Sequence, residues 1–138
     1  MDINRYSTSQ VNLKKIMSKL IPTPAPMQPQ SRAYDLKSRL DWGEPALTII
    51  DIRPIAEFNQ SHIQGAISLP AEELVSRAPE TLDISRDIYV YSDSDEETAA
   101  AAAQLREAGY TNVSELTGGL AAWKAVGYPV EAISGVSP

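Results

Sequence analysis

The sequence contains no cysteine. The chain therefore forms neither disulfides nor thiolate metal sites, and it offers no thiol or persulfide nucleophile. It also lacks any apolar run near the roughly 20 residues that span a bilayer. The N-terminus begins Met-Asp-Ile-Asn-Arg, without the apolar core of a signal peptide. These absences exclude thiol chemistry and predict a cytoplasmic protein.

Basic residues are also in short supply. The chain has 12 lysines and arginines against 18 aspartates and glutamates, which gives a formal net charge of −6. Because a negatively charged chain is repelled by phosphates, we expect no nucleic-acid partner. The 138 residues, 43% of them hydrophobic, suit one globular domain with a core of about 100 residues.

The first 30 residues predict an N-terminal arm. Residues 11–21 have apolar side chains at helical spacing, with three lysines off that face. A helix this short is marginal alone, so it needs a surface, which is its own domain, a groove on a partner protein or an anionic membrane. Residues 22–30 hold four prolines and predict an extended linker. The folded domain then spans residues 31–131, and residues 132–138 form a C-terminal tail.

Short apolar segments alternate with helical patterns through the domain. The segment Leu47-Thr-Ile-Ile-Asp-Ile52 is almost entirely apolar, which is typical of a strand buried on both faces of a parallel sheet. The pattern predicts strands at 47–52, 66–69, 87–91 and 112–116, and helices at 33–40, 54–60, 71–77, 98–108 and 120–126. This alternation predicts an α/β domain with a central parallel sheet.

The centre of the sequence joins a buried strand, residues 87–91, to a helix through a tight loop. Such a loop normally favours an anion, because the first amides of a helix have no internal partner and the helix dipole is positive there. Here the loop itself supplies four carboxylates, those of Asp93, Asp95, Glu96 and Glu97. A place suited to a bound anion is thus filled with the protein's own anions.

Four groups of residues follow one another at a spacing typical of a known domain family. They are Ile50-Asp-Ile-Arg53 with Glu57-Phe58; His62-Ile-Gln-Gly-Ala66 with Pro70; Tyr89-Val-Tyr91; and Leu105-Arg-Glu-Ala-Gly109 with Thr117-Gly-Gly119 and Ala122-Trp-Lys124. Over residues 33–131 the chain resembles the rhodanese domain, and in particular small cysteine-lacking members from photosynthetic bacteria. The resemblance implies a parallel sheet with helices on both faces, preceded here by the extended arm.

In rhodanese domains the strand equivalent to 87–91 delivers a cysteine, which opens a loop of pattern Cys-x-x-Gly-x-Arg followed by serine. The cysteine thiolate takes sulfur from donors such as thiosulfate, while loop amides and the arginine hold the negative charge. The resemblance places Ser92 at the cysteine, Asp95 at the glycine, Glu97 at the arginine and Thr98 at the serine. It implies that no catalytic residue remains in the degenerate loop Ser92, Asp93, Ser94, Asp95, Glu96, Glu97 and Thr98.

The loop of residues 92–98, called the acidic loop from here on, has several open interpretations. Ser94-Asp-Glu-Glu97 is a capping-box pattern, in which the serine and the glutamate satisfy amides at the start of a helix. The loop also suits an acidic contact face, or a divalent-cation site at Asp93, Asp95 and Glu96, although its spacing is not that of an EF-hand. A Ser92-dependent hydrolase is the fourth interpretation. We expect neither a metal nor a cofactor.

These observations together predict a non-catalytic interaction protein, such as an adaptor, a sensor or a subunit of a larger complex. We expect its partner to be a protein or protein complex, bound through the arm and through the acidic loop. The candidate contact residues are Trp42, in a predicted loop, and the apolar face of the arm, Leu13, Ile16, Met17, Leu20 and Ile21. The alternatives are a hydrolase or phosphatase-like enzyme based on Ser92, residual sulfur transfer, and a membrane-associated accessory protein.

Overall fold

The computed structural model describes residues 23–43 and 46–133. The predicted helix 11–21, which carries five of the partner-binding candidates, lies outside these residues, as do residues 134–138 of the predicted tail. Within the described ranges, no helix is long and apolar enough to cross a membrane.

The described residues form one parallel sheet of five strands and a separate antiparallel pair. The strands are β1 (Gln30–Ser31), β2 (Leu47–Asp51), β3 (His62–Ile63), β4 (Ile67–Ser68), β5 (Asp87–Tyr91), β6 (Val113–Leu116) and β7 (Val130–Glu131). The order across the large sheet is β1-β6-β5-β2-β4, and every neighbouring pair is parallel. Strands β3 and β7 form the antiparallel pair. The predicted central parallel sheet is therefore confirmed.

Helices cover both faces of this sheet. They are α1 (Ala33–Trp42), α2 (Ile55–Gln60), α3 (Leu74–Thr81), α4 (Asp95–Glu107) and α5 (Gly119–Ala125), with a 3-10 turn at Ala71–Glu73. Residues of α1, α2 and α5 share one buried cluster with Ile49 and Tyr89 of the sheet. Residues of α3 and α4 share a second buried cluster with Ile50 and Val90. The domain therefore has two cores, one on each face of the sheet.

The two central strands explain the continuous apolar segments of the sequence. Strands β2 and β5 pair with Ile49 opposite Tyr89 and Ile50 opposite Val90. All four side chains are almost completely buried. Successive side chains of a strand point to opposite faces, so a strand covered on both sides needs apolar residues at every position. Burial of each such side chain contributes about 1.5–3 kcal/mol relative to exposure.

Strand β1 is a structural feature that the sequence pattern did not predict. Its backbone pairs with that of β6. The Glu115 amide donates to Pro29 O and the Thr117 amide donates to Ser31 O, both at 2.8 Å. The buried hydroxyls of Ser31 and Ser114 lie 2.6 Å apart. The strand is thus held by tertiary hydrogen bonds rather than by an apolar pattern of its own.

Three helix boundaries also differ from the prediction. The predicted helix 71–77 is a 3-10 turn followed by α3. The predicted helix 98–108 begins earlier, at Asp95, because Ser94 caps it. Helix α1 runs on to Trp42 and ends at a glycine in the left-handed conformation, so Trp42 lies on a helix rather than in the predicted loop.

The parallel sheet determines which segments lie at the same edge. Strands β2 and β5 end at Asp51 and Tyr91, so the residues that follow them meet at one edge of the sheet. The acidic loop is at this edge. Strand β1 is parallel to β6, so the chain enters the sheet from the opposite edge, where Asp87 opens β5. The linker before β1 and the acidic loop therefore lie at opposite edges.

Candidate functional site

The acidic loop is anchored by two buried hydroxyl residues. Ser92, directly after β5, is 4% exposed, and Thr98, in the first turns of α4, is 1% exposed. The residues between them are all exposed to solvent: Asp93, Ser94, Asp95, Glu96 and Glu97. The structure thus presents four carboxylates at the surface above a buried serine.

The carboxylate of Glu97 turns back into the loop. Its Oε1 accepts hydrogen bonds from Ser92 Oγ at 3.3 Å and from Ser94 Oγ at 3.2 Å. Ser94 Oγ in turn accepts from the Glu97 amide at 3.2 Å, which is the N-cap half of the predicted capping box. The amide and hydroxyl of Thr98 both donate to Ser94 O at 3.1 Å. An internal carboxylate is therefore the group that meets the buried serine.

The far side of the loop is fastened to the turn that precedes α5. Asp95 Oδ1 accepts a hydrogen bond of 2.9 Å from the Gly118 amide. The next residue, Gly119, has φ +52°, and a Cβ added there would overlap Ser92 O. Only glycine lets the turn approach the serine so closely. The structure thus joins the loop and the Gly118-Gly119 turn, two motifs that the sequence placed 23 residues apart.

The near side of the loop is tied to a buried ion pair. Arg53 contacts Asp51 through Nε and Nη2, with a shortest distance of 2.7 Å, and its Nη2 also donates to Ser61 O at 2.6 Å. Burial opposes the charge of Arg53, but the hydrogen bonds and attraction of Asp51 outweigh it, so the pKa of Arg53 is raised. Asp93 approaches this arginine at 3.7 Å. The arginine is therefore largely neutralised by aspartates.

Glu57 adds a further carboxylate beside the loop. The neighbouring carboxyl group of Asp93 is the main reason that the pKa of Glu57 is raised. Two neighbouring carboxyl groups repel each other when both are ionised. The surroundings of Ser92 therefore favour protons and cations over an anion such as thiosulfate.

Tyr91, the last residue of β5, belongs to the same network. It is completely buried, and its hydroxyl accepts a 3.0 Å hydrogen bond from the Ile63 amide. Burial and a hydrogen bond to Asp51 raise the pKa of its phenol. The tyrosine thus stays neutral, and its hydroxyl joins β3 to β5. An aromatic residue in an apolar strand carries no sequence signal for this role.

His62 is engaged elsewhere. Its Nδ1 lies 2.7 Å from Phe58 O, its ring stacks on Phe58, and its Nε2 lies 3.4 Å from Glu131. A hydrogen bond from the Gly65 amide, reinforced by His62, holds the pKa of Glu131 below its ordinary value. Because both ring nitrogens have partners, His62 is a poor candidate for the base that would activate Ser92.

The remaining candidates do not converge on the loop. Trp42 is half-buried and lines a groove beside the linker, next to Asp87 at the opposite edge of the sheet. Within residues 23–43 and 46–133, no group of three or more carboxylates and histidines has a geometry suited to a metal ion.

Comparison with known proteins agrees with this architecture. A sequence profile described as Rhodanese-like domain matches residues 32–126. The chain is 36% identical over 100 residues to a sulfurtransferase from Allochromatium vinosum, covering 72% of this chain and 92% of that protein. It is 30% identical to the putative sulfur carrier protein YrkF of Bacillus subtilis, covering 69% of this chain but only 50% of YrkF. The chain thus spans about half the length of some curated relatives.

Solved structures show the same relationship. The crystal structure of the Alr3790 protein from Anabaena is 57% identical, covers 75% of this chain and 93% of its own, and superposes with a TM-score of 0.73. The solution structure of its rhodanese-like domain covers 81% of this chain with a TM-score of 0.75. With this fold, this profile match and no cysteine in its sequence, the chain belongs to the rhodanese-like domain family, in the branch that lacks the cysteine.

Proposed function

We propose that this protein is a non-catalytic rhodanese-like interaction module of the cytoplasm. The observation that carries this proposal is the hydrogen bonding of the Glu97 carboxylate to Ser92 and Ser94. In the family the corresponding loop holds a thiolate and the anionic donor of sulfur. Here Ser92 replaces the thiolate and the Glu97 carboxylate occupies the place of a bound anion. The loop therefore supplies neither the nucleophile nor the binding site for the sulfur donor.

The loop is instead suited to contact with a positively charged partner protein. Its carboxylates are exposed, and three of them are already held in place by Arg53, by the Gly118 amide and by the two serines. Glu96, on the first turn of α4, is exposed and lines a cavity of about 290 Å³ together with Glu115 and Thr98. A lysine- or arginine-rich segment is the partner chemistry that matches this edge. The N-terminal arm supplies a second contact.

A serine hydrolase is the second candidate, because Ser92 Oγ donates to a carboxylate that in principle accepts its proton. Two observations make it the weaker one. Glu97 is shared with Ser94, and His62 is engaged with Phe58 and Glu131. The negative surroundings also disfavour the oxyanion that forms when a serine attacks an ester or a phosphate.

Enzyme assays distinguish the two candidates. Purified full-length protein and the Ser92→Ala variant are tested for thiosulfate:cyanide sulfur transfer and for hydrolysis of aryl phosphates and aryl esters. We expect both proteins to match the rate without protein. Turnover by the parent that disappears in Ser92→Ala would refute the non-catalytic function.

Binding assays test the interaction itself. The immobilised full-length protein is compared with Glu96→Lys, which reverses one exposed charge at the acidic edge. Glu107→Lys makes the same charge change at the far, exposed end of the same helix and is the matched control. We expect a partner captured by the parent and by Glu107→Lys, identified by mass spectrometry, to be lost with Glu96→Lys. Equal capture by all three proteins contradicts a contact through the acidic edge.

A further inference from the structure

A groove of about 310 Å³ lies at the sheet edge opposite the acidic loop. Residues 23–27 of the linker form one wall, and Arg39, Trp42 and Asp87 form the other. Pro24, Met27 and Trp42 are only partly exposed, so the groove offers apolar surface between a charged pair and the linker. Its polar rim is the ion pair of Arg39 with Asp87, at 3.0 Å.

The linker wall has a fixed position. Pro29 O accepts from the Glu115 amide at 2.8 Å and from Arg106 Nη2 at 3.3 Å, so the backbone is fastened to β6 just before β1 begins. Further upstream, Arg39 Nη1 lies 3.9 Å from Met27 Sδ. The chain therefore leaves the described domain at one defined place, Thr23, which is itself part of the groove.

The segment before Thr23 leads directly to this groove and has an apolar pattern. The predicted helix 11–21 ends two residues before Thr23, with only Pro22 between them. Eleven residues of helix are about 16 Å long. A helix of this length is marginally stable in water and needs a surface against which its apolar face packs. The apolar surface nearest along the chain is that of Pro24, Met27 and Trp42.

Charge also favours this segment over a second copy of the domain. Residues 1–22 contain four of the 12 basic side chains and one of the 18 acidic ones, so their formal charge is +3 and that of the remaining chain is −9. A basic arm tethered to an acidic domain is attracted to it, whereas two acidic domains repel each other.

We propose that residues 11–21 pack as a helix against this groove of the same chain, with Leu13, Met17 and Leu20 toward Trp42 and the linker. This inference goes beyond the proposed function, because it assigns the arm a place on its own domain. The lysine side of the helix faces solvent, so the arm's contact with a partner is made by its lysines and not by its apolar face. The positive arm then lies at one edge of the sheet and the acidic loop at the other.

The two tryptophans of the chain provide the test. Trp42 lines the groove, whereas Trp123 lies in the core with its indole Nε1 donating to Pro129 O at 2.7 Å. Two-dimensional ¹H–¹⁵N spectra of the full-length protein therefore show one indole signal that reports on the groove and one internal reference. The variant Met17→Asp/Leu20→Asp disrupts the apolar face that the proposal places against the groove. We expect it to shift the Trp42 indole signal and the amides of Met27, Arg39 and Asp87, and to leave Trp123 unchanged.

A matched control separates apolar packing from charge. Lys15→Asp changes the net charge by the same amount as the double variant but lies on the polar side of the predicted helix. We expect its Trp42 signal to remain at the parental position. The proposal is overturned if Trp42 does not respond to the double variant, or if Lys15→Asp shifts it as much. It is also overturned if tenfold dilution of the parent reproduces the shift, because the arm would then bind a second copy.

Discussion

Replacing Ser92 by cysteine restores the nucleophile of the family and tests whether the loop now opposes a thiolate. The new sulfur takes the position of Ser92 Oγ, which is 3.3 Å from Glu97 Oε1. Two negative charges at that distance repel by about 1.3 kcal/mol in water and by about 5 kcal/mol at an effective dielectric constant of about 20. Each 1.4 kcal/mol is about a factor of ten in an equilibrium constant. Glu97 should therefore raise the pKa of the introduced thiol and reduce its thiolate fraction at pH 7 at least about tenfold.

The assay is a pH titration of the ultraviolet absorbance of the thiolate. Since the natural chain has no cysteine, the whole signal comes from the introduced residue. Ser92→Cys is compared with Ser92→Cys/Glu97→Gln, which removes the charge, and with Ser92→Cys/Glu107→Gln as control. Glu107 is ten residues along the same helix, about 15 Å away, beyond the Debye length of about 8 Å at physiological ionic strength.

We expect the Glu97→Gln background to ionise at lower pH and the Glu107→Gln background to match Ser92→Cys. Ser92→Cys alone should transfer no sulfur from thiosulfate to cyanide, whereas Ser92→Cys/Asp95→Gly/Glu97→Arg should gain measurable transfer. Identical titrations with and without the Glu97 charge, or robust transfer by Ser92→Cys alone, would show that the electrostatic reasoning is wrong.

Three further predictions concern stability, measured by urea denaturation. Gly119→Ala forces a Cβ into Ser92 O and should destabilise the fold by about 2–4 kcal/mol, whereas Gly65→Ala, with φ +90° but no atom within 4 Å, should lose only about 1 kcal/mol. Equal losses would contradict a steric cause. Arg53→Ala leaves the buried carboxylate at the end of β2 without its cation and should lose about 3–5 kcal/mol; a loss below about 1 kcal/mol would contradict the buried pair. The pKa of Glu131 is lowered in the folded state, so its contribution is present above the ordinary glutamate pKa and is lost as the pH falls through the folded value. Glu131→Gln should therefore weaken the fold at neutral pH and make no difference in strong acid, and an equal effect at both pH values would contradict the linkage.

The central strands could be predicted because burial on both faces requires a continuous run of apolar residues, which is visible within one short segment. Ile49, Ile50, Tyr89 and Val90 are apolar at every position for that reason. The N-cap Ser94 was also predictable, since its partner amide is only three residues away. Both features depend only on residues that are close together in the sequence.

The features that the sequence did not predict depend on distant residues. Strand β1 is held by backbone bonds to residues more than 80 positions away, and its own side chains, Gln30 and Ser31, are polar. Glu57 lies on helix α2 and Asp93 follows strand β5, so their carboxyl groups become neighbours only when the sheet aligns the ends of β2 and β5. The roles of Gly118 and Tyr91 belong to the same class of contact.

The bonds that hold the acidic loop have a thermodynamic consequence for association. Asp93 is held by Arg53, Asp95 by the Gly118 amide, and Glu97 by two serine hydroxyls. Immobilising a flexible side chain on complex formation costs about 0.5–1.5 kcal/mol, so ordering three carboxylates in advance avoids an entropic cost of about 1.5–4.5 kcal/mol when a partner binds. Carboxylates at a fixed spacing also select cationic ligands whose positive charges have a matching spacing, whereas a disordered acidic segment does not.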